Sequence, residues 1–168
     1  MRFDDDGEHG ARIIVERHNQ IGMQLCRVEL SHRARFDASL APLRHEVAAI
    51  RSAFAGSAVA YTEPVPGYLL AAAGLRNLAP GGFTRAIEDG TEPSPAALSA
   101  MTALATDRRI KVLLYNTQAV SPITTRIRTA ARAAGIAIVG VSETMPAGET
   151  FQSWQLGQAR ALDRALHG

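Results

Sequence analysis

Glu63 and Glu143 are the residues whose type and setting could do chemistry. Each follows a short apolar run, SAVAYT before Glu63 and IAIVGVS before Glu143. A third apolar run, IKVLLY, ends in Asn116-Thr117-Gln118. If the three runs are parallel strands of one sheet, their C-terminal ends share a rim, where open α/β sheets bind ligands. Two carboxylates on such a rim suit a divalent cation, which takes hard oxygen ligands. Asn116 and Gln118 are then candidates to hold the carboxylates in place.

The same residues have plainer roles to set against this. An acidic residue ahead of a helix is favoured by the helix dipole, and the pattern puts Glu63 there. Glu143 suits an exposed loop, and Asn116 and Gln118 suit loop backbone in need of partners. Tyr68 and Trp154 read as packing rather than as a ligand cage. An acid–base pair of carboxylates is the catalytic alternative, and it needs a closed pocket and one raised pKa. The sequence supplies neither a nucleophile nor a substrate pocket for it, so no enzyme is expected.

Other chemistries lack their residues. His9, His18, His32 and His45 precede Gly56, and His167 lies near the end, so no histidine falls at a predicted strand end. All five read as solvated helix-face residues. No HExxH, CxxC, GxGxxG, P-loop or GxSxG pattern occurs. The single cysteine, Cys26, excludes an internal disulfide and a cysteine zinc cluster. With 46% hydrophobic and 20% charged residues, the composition is that of a folded domain. A length of 168 residues suits one domain with a real core. A net charge of +2, with arginines scattered along the chain, gives no nucleic-acid signal. No apolar run is long enough for a membrane helix. The start, MRFDDDGEHGAR, lacks a basic segment followed by an apolar one, so the chain as written is expected in the cytoplasm.

The elements that must position the rim follow from periodicity. Residues 1–30 form a poorly defined N-terminal segment, loose to Gly10 and weakly helical from Ala11 to Leu30. Phe36, Leu40, Leu43, Val47, Ile50 and Phe54 recur at four- and three-residue spacing and predict one long linker-type helix over 31–56. Ser31 is its expected N-cap, Pro42 its kink or restart, and Gly56 its stop. The rest, 57–168, is an α/β lobe. Ser57–Thr62 is a strand that Pro64 should extend up to Glu63. A helix over Val65–Ala73 and a short strand over Leu75–Leu78 follow. Ala79–Thr91, with Pro80, Gly81, Gly82 and Gly90, reads as a loop. Ser94-Pro95 and Ser121-Pro122 each cap and open a helix, one before the strand Ile110–Tyr115 and one before the strand Ile136–Val141. Thr150–Leu166 is the last helix, with Phe151, Trp154, Leu162 and Leu166 on or near its buried face. The strands are continuous apolar runs, which means that both faces are covered. The expected fold is therefore α/β, a three-layer sandwich with a mainly parallel sheet of about four strands, preceded by a long helix.

From Arg33 to Leu166 the sequence resembles the C-terminal lobe of the zinc- and manganese-binding proteins of ABC importers, the cluster A-I solute-binding proteins. The matching text is ARFDASLAPL, AVAYTEPVPGYLLAAAGL, EDGTEPSPAAL, IKVLLYNTQAVSP and GIAIVGVSETMPAGETFQSW. The family, which includes adhesin-type lipoproteins, implies two α/β lobes joined by one long helix, with the metal between them. The first lobe supplies two histidines. The second supplies a His or Glu after its first strand and an Asp or Glu after its last, and Glu63 and Glu143 stand at those positions. The resemblance also implies an ABC permease as partner and a periplasmic or cell-surface location. No histidine segment of the first lobe is recognisable before the helix, so the chain reads as a truncated protein, half of a binding protein. A zinc or manganese ion is then expected to bind weakly if at all, unless a homodimer brings two half-sites together. A lobe that self-associates without metal is the alternative.

Overall fold

The structure, a computed structural model, describes residues 31–168. The expectations for residues 1–30 lie outside the described residues. The chain divides at Ala41–Pro42 into two compact units. In the first, residues 31–39 are helical. Ser31 is itself inside that helix and not its cap. Leu40 is a turn, and its N–H donates to the Asp37 carbonyl at 3.3 Å.

The second unit begins at Pro42, within helix α1 (Ala41–Phe54). Pro42 sits in its first turn, where a missing N–H leaves no helical bond unmade. The long apolar stripe is thus carried by two helical stretches with Leu40 between them.

Four parallel strands follow: β1 (Ala58–Tyr61), β2 (Arg76–Asn77), β3 (Val112–Asn116) and β4 (Ala137–Val141), in the order β2-β1-β3-β4. All five residues of β3 are buried, as expected of a central strand covered on both faces. On one side of the sheet Val59, Val112, Leu114, Val139 and Val141 pack with α1, with α2 (Gly67–Ala72) and with α6 (Phe151–His167), through Ile50, Leu70, Ala159, Leu162 and Leu166. On the other, Ala60 and Leu113 pack with α3 (Gly81–Glu88), α4 (Pro95–Thr106) and α5 (Pro122–Ala133), through Phe83, Met101, Leu104, Ile127 and Ala131. Alternate side chains of β3 therefore serve two cores, and the fold is the three-layer α/β arrangement.

Local chemistry accounts for most boundaries. The Ser94 hydroxyl accepts from Ala97 N at 3.2 Å and caps α4. Ser121 and Thr124 form a reciprocal capping box on α5, and Thr150 and Ser153 do the same on α6.

The segment Ala79–Thr91, expected as a loop, contains α3. Its glycines, Gly81 and Gly82, fall in the first turn, where the Pro80 carbonyl accepts from Phe83 N and Thr84 N at 2.9 and 3.1 Å. Phe83, fully buried, and Ile87 lie one turn apart on one face. Burial of that face outweighs the helix cost of two glycines, about 1 kcal/mol each. β1 stops at Tyr61 rather than reaching Glu63, because residues 62–64 bend. α2 is shorter than the expected Val65–Ala73, since Gly67 N closes a turn onto the Pro64 carbonyl at 2.8 Å before the helix begins. Phe151, expected on the buried face of α6, is 44% exposed and meets the Trp154 ring edge-on at 6.1 Å.

Because Phe83 anchors α3, Phe83→Ala is expected to destabilise the chain by about 3–5 kcal/mol. Urea unfolding checks this. A loss below about 0.5 kcal/mol, the level of a surface change, would mean that α3 is not a core element.

Candidate functional site

The rim is built by strand register. Tyr61 pairs with Leu114 and Val141 pairs with Asn116. Glu63 stands two residues past Tyr61, level with Asn116. Glu143 stands two residues past Val141 on the other side. β1 and β4 are not neighbours; β3 runs between them and ends in Asn116. The last residue of the middle strand is therefore placed to touch both carboxylates.

It does so through a single atom. Asn116 Nδ2 donates to Glu63 Oε2 at 2.6 Å and to Glu143 Oε1 at 2.6 Å. Asn116 is 1% exposed and Glu63 8% exposed, whereas Glu143 lies open to solvent. Fully buried Thr62 fixes the strand ends against each other. Its hydroxyl accepts from Asn116 N at 3.2 Å, and its N–H donates to the Leu114 carbonyl at 3.0 Å.

Gln118 holds the loop that carries Glu143. Its Oε1 accepts from Glu143 N at 2.7 Å and Thr144 N at 3.0 Å, and its Nε2 donates to the Thr144 hydroxyl at 2.6 Å. Its own N–H donates to Asn116 Oδ1 at 3.0 Å. From the far side, Trp154 Nε1 donates to Ser142 Oγ at 2.9 Å, and Gln158 Oε1 accepts from Ser142 N at 3.1 Å. The loop after β4 is thus pinned from the segment that follows β3 and from α6.

Glu63, Glu143, Asn116 and Gln118, the four residues singled out in the sequence, form one connected network. Thr62, Thr144 and Gln158 belong to it and were not singled out as site residues. The signal for Gln158 was its spacing from Trp154, one helical turn on α6, which puts both side chains toward the same loop. Trp154 does pack, as its type suggested, but its ring nitrogen also serves the site. Among the described histidines, His32 and His45 are exposed helical residues, and exposed His167 meets the Phe54 ring edge-on at 4.7 Å. Among the described residues no three of His, Cys, Asp or Glu converge on a point where an ion would sit.

Electrostatics follow from the crowding. The Glu63 pKa is pushed up, first by burial. The hydrogen bond from Asn116 works the other way, because it favours the charged form. Glu143 pushes it up again, through a hydrogen bond between the two carboxyls and through like charge, and Glu88 adds a smaller like-charge contribution. Chemically, the arrangement can share a proton between two carboxyls, or it can present oxygen donors to a cation.

The raised pKa has a definite sign in stability. The folded chain holds the Glu63 proton more tightly than the unfolded chain does. That contribution is complete below the ordinary glutamate pKa of about 4.3 and is lost as pH rises through the higher folded value. Glu63→Gln, permanently neutral, is expected to raise the melting temperature of the metal-free chain at pH 7 and to change it less at pH 4. Equal shifts at both pH values would contradict the assignment.

With the geometry described, comparisons place the chain. No curated protein matches it. Among solved structures it is similar to the laminin-binding adhesin of Streptococcus agalactiae, described as a bifunctional protein with adhesin and metal-transporting activity. The TM-score is 0.56 at 19% identity, over 74% of this chain and 46% of that one. It is also similar to the solute-binding protein FpvC of Pseudomonas aeruginosa in complex with Mn2+, with a TM-score of 0.54 at 19% identity, over 80% of this chain and 49% of that one. These identities show a shared fold. The chain spans about half the length of the structures it matches. The sequence matches the family model described as zinc-uptake complex component A, periplasmic, over residues 28–165. With most of its length inside that match, the chain belongs to the family of periplasmic zinc-uptake component A proteins.

Proposed function

We propose that the chain is a metal-binding lobe of a zinc- or manganese-type solute-binding protein for an ABC importer, with the divalent cation as cargo and Glu63 and Glu143 as its carboxylate ligands. The observation that carries this reading is the convergence of two carboxylates, from the ends of β1 and β4, on one amide nitrogen at the strand rim. Like charges held together in this way are suited to a cation that neutralises them. Family membership supports the reading. So do the neighbours' descriptions, which include a complex with Mn2+ and one with Ni2+.

Each residue has a role in this reading. Glu63 is the buried ligand on a fixed strand end. Glu143 is the exposed ligand on a loop clamped by Gln118. Asn116 keeps both carboxylates aimed at one place, and such supporting residues typically carry about 10–100-fold in metal affinity. Remaining coordination positions are open to water or to donors from outside the described residues. The partner is an ABC permease, and the location is the periplasm or cell surface. No catalytic step is part of this reading: the raised Glu63 pKa follows first from burial and then from the neighbouring Glu143.

One observation favours a second reading, a lobe that self-associates and does not bind metal. Tyr68 is 95% exposed, Val120 61% and Met145 48%, and each lies in a segment that follows a strand end near the site.

Thermal melts of the chain with Mn2+, Zn2+ or EDTA, beside the Glu63→Ala, Glu143→Ala double variant, decide between the two readings. A cation at a hundredfold excess over its Kd stabilises the folded state by about 2.7 kcal/mol, several degrees for a domain of this size. The expected result is a shift in the parent that is absent from the double variant. No shift in the parent at millimolar metal, with a concentration-dependent dimer in sedimentation, would replace the metal reading with the second.

A further inference from the structure

The charges of the lobe are sorted between its two ends, although the arginines are scattered along the sequence. We propose that the sheet edge opposite the strand rim docks on an anionic lipid surface, through Arg76, Arg108, Arg109 and Lys111. This goes beyond the metal reading above and does not depend on it. Topology gathers the four residues. α1, α2, α4 and α5 end just before β1, β2, β3 and β4 begin, so the segments that lead into the parallel strands collect at one edge. Arg76, the first residue of β2, pairs with Ala58, the first residue of β1. Lys111 reaches Ala58 from the other side, its N–H donating to the Ala58 carbonyl at 2.8 Å. Two strand spacings, about 10 Å, therefore separate Arg76 from Lys111. Arg109 N donates to the Leu104 carbonyl at 3.0 Å, which keeps Arg108 and Arg109 against the end of α4. All four residues are exposed, and none has an ion pair among the described residues.

Helix ends offer a plainer reading, since a helix C-terminus carries about half a negative charge and favours a cation. That reading covers Arg51, Arg132 and Arg164, in the last turns of α1, α5 and α6. It does not cover the other four. Their positive charges stand against one carboxylate, Asp107, and about half a negative charge at the end of α4. The edge therefore keeps a positive surplus. Arg108 also holds a left-handed backbone (φ 54°), at the position that Gly74, Gly90 and Gly135 take after α2, α3 and α5. The large exposed apolar residues of this unit, Tyr68, Val120, Met145 and Phe151, follow strand ends at the rim instead. The edge thus binds by charge alone, without insertion and without the aromatic rings on which nucleic-acid binders stack bases. Cations spread over two strand starts and a helix end suit an extended phosphate layer, to which each Lys or Arg adds attraction. The family is periplasmic, where membrane phosphates are at hand. The rim has the opposite sign, with Glu63, Glu88, Glu92 and Glu143. An anionic layer repels it, so the lobe docks with its rim turned away from the lipid.

The test uses the full chain in EDTA, so that no divalent ion bridges a carboxylate to a lipid phosphate. Co-sedimentation is measured with vesicles of mixed phosphatidylglycerol and phosphatidylcholine, and of phosphatidylcholine alone. Salt is raised from about 0.1 M to about 1 M, which shortens the screening length from about 10 Å to about 3 Å. The parent is compared with an edge variant, Arg108→Asn, Arg109→Gln, Lys111→Gln. A control variant, Arg85→Gln, Arg126→Gln, Arg160→Gln, removes as much charge from α3, α5 and α6 away from that edge. The parent is expected to bind the mixed vesicles at low salt, to leave them at high salt and to ignore phosphatidylcholine. The edge variant is expected to bind about a hundredfold more weakly, at about fivefold per charge, and the control to stay within about fivefold of the parent. Equal weakening of both variants would mean that net charge and not this edge attracts the lipid, and the proposal falls. It falls as well if the parent binds phosphatidylcholine equally. Failure of the parent to sediment with the mixed vesicles overturns it too, even where soluble polyphosphate is taken up. Should the triple edge variant fail to fold, Arg76→Gln decides the location: about a fivefold loss is expected, and no loss overturns the proposal.

Discussion

One amide nitrogen at the end of β3 holds two carboxylates, and the chemistry of this lobe depends on that contact. A hydrogen bond to a charged group is worth about 1.5–3 kcal/mol. Two unit charges about 4 Å apart repel by about 4 kcal/mol at a protein-surface effective dielectric of about 20. The two effects are of the same size. Burial of Glu63 adds to the repulsion, and its carboxyl holds its proton more tightly than an ordinary glutamate.

The fold makes that contact by topology rather than by sequence proximity. Glu63 and Glu143 are joined by a long stretch of chain, yet the order β2-β1-β3-β4 leaves only β3 between their strands. Parallel pairing puts all C-terminal ends on one rim. The apolar content of β3 buries it on both faces, and that leaves its terminal Asn116 as the one side-chain amide of a buried strand. A buried amide needs partners for its hydrogens, and the two carboxylates are those partners. The demands of the central strand and of the rim are met by the same two hydrogen bonds.

The site is stiff on one side and adjustable on the other. Glu63 follows directly on fully buried Thr62, and Pro64 comes next. Glu143 is on an exposed loop whose position depends on side chains, Gln118 from the segment after β3 and Trp154 and Gln158 from α6. A rim with one fixed carboxylate and one tethered by hydrogen bonds can adjust at the Glu143 loop without moving the sheet.

The sequence by itself determined the layers. Continuous apolar runs required strands covered on both faces, Ser-Pro pairs marked two helix starts, and the spacing of carboxylates after those runs nominated Glu63 and Glu143. These are local properties, written in periodicity and cap chemistry. Where local signals were mixed, tertiary structure decided. Gly81 and Gly82 argued for a loop, and the burial of Phe83 made a helix. Pro64 argued for an extended strand, and the turn closed by Gly67 bent the chain after Tyr61. Phe151 lay at the start of an apolar helix face, and the end of α6 left it exposed. Above all, only the sheet order could show that Asn116 touches both carboxylates at once. Strand order is set by which faces pack best across the whole lobe, and no short stretch of sequence carries that information.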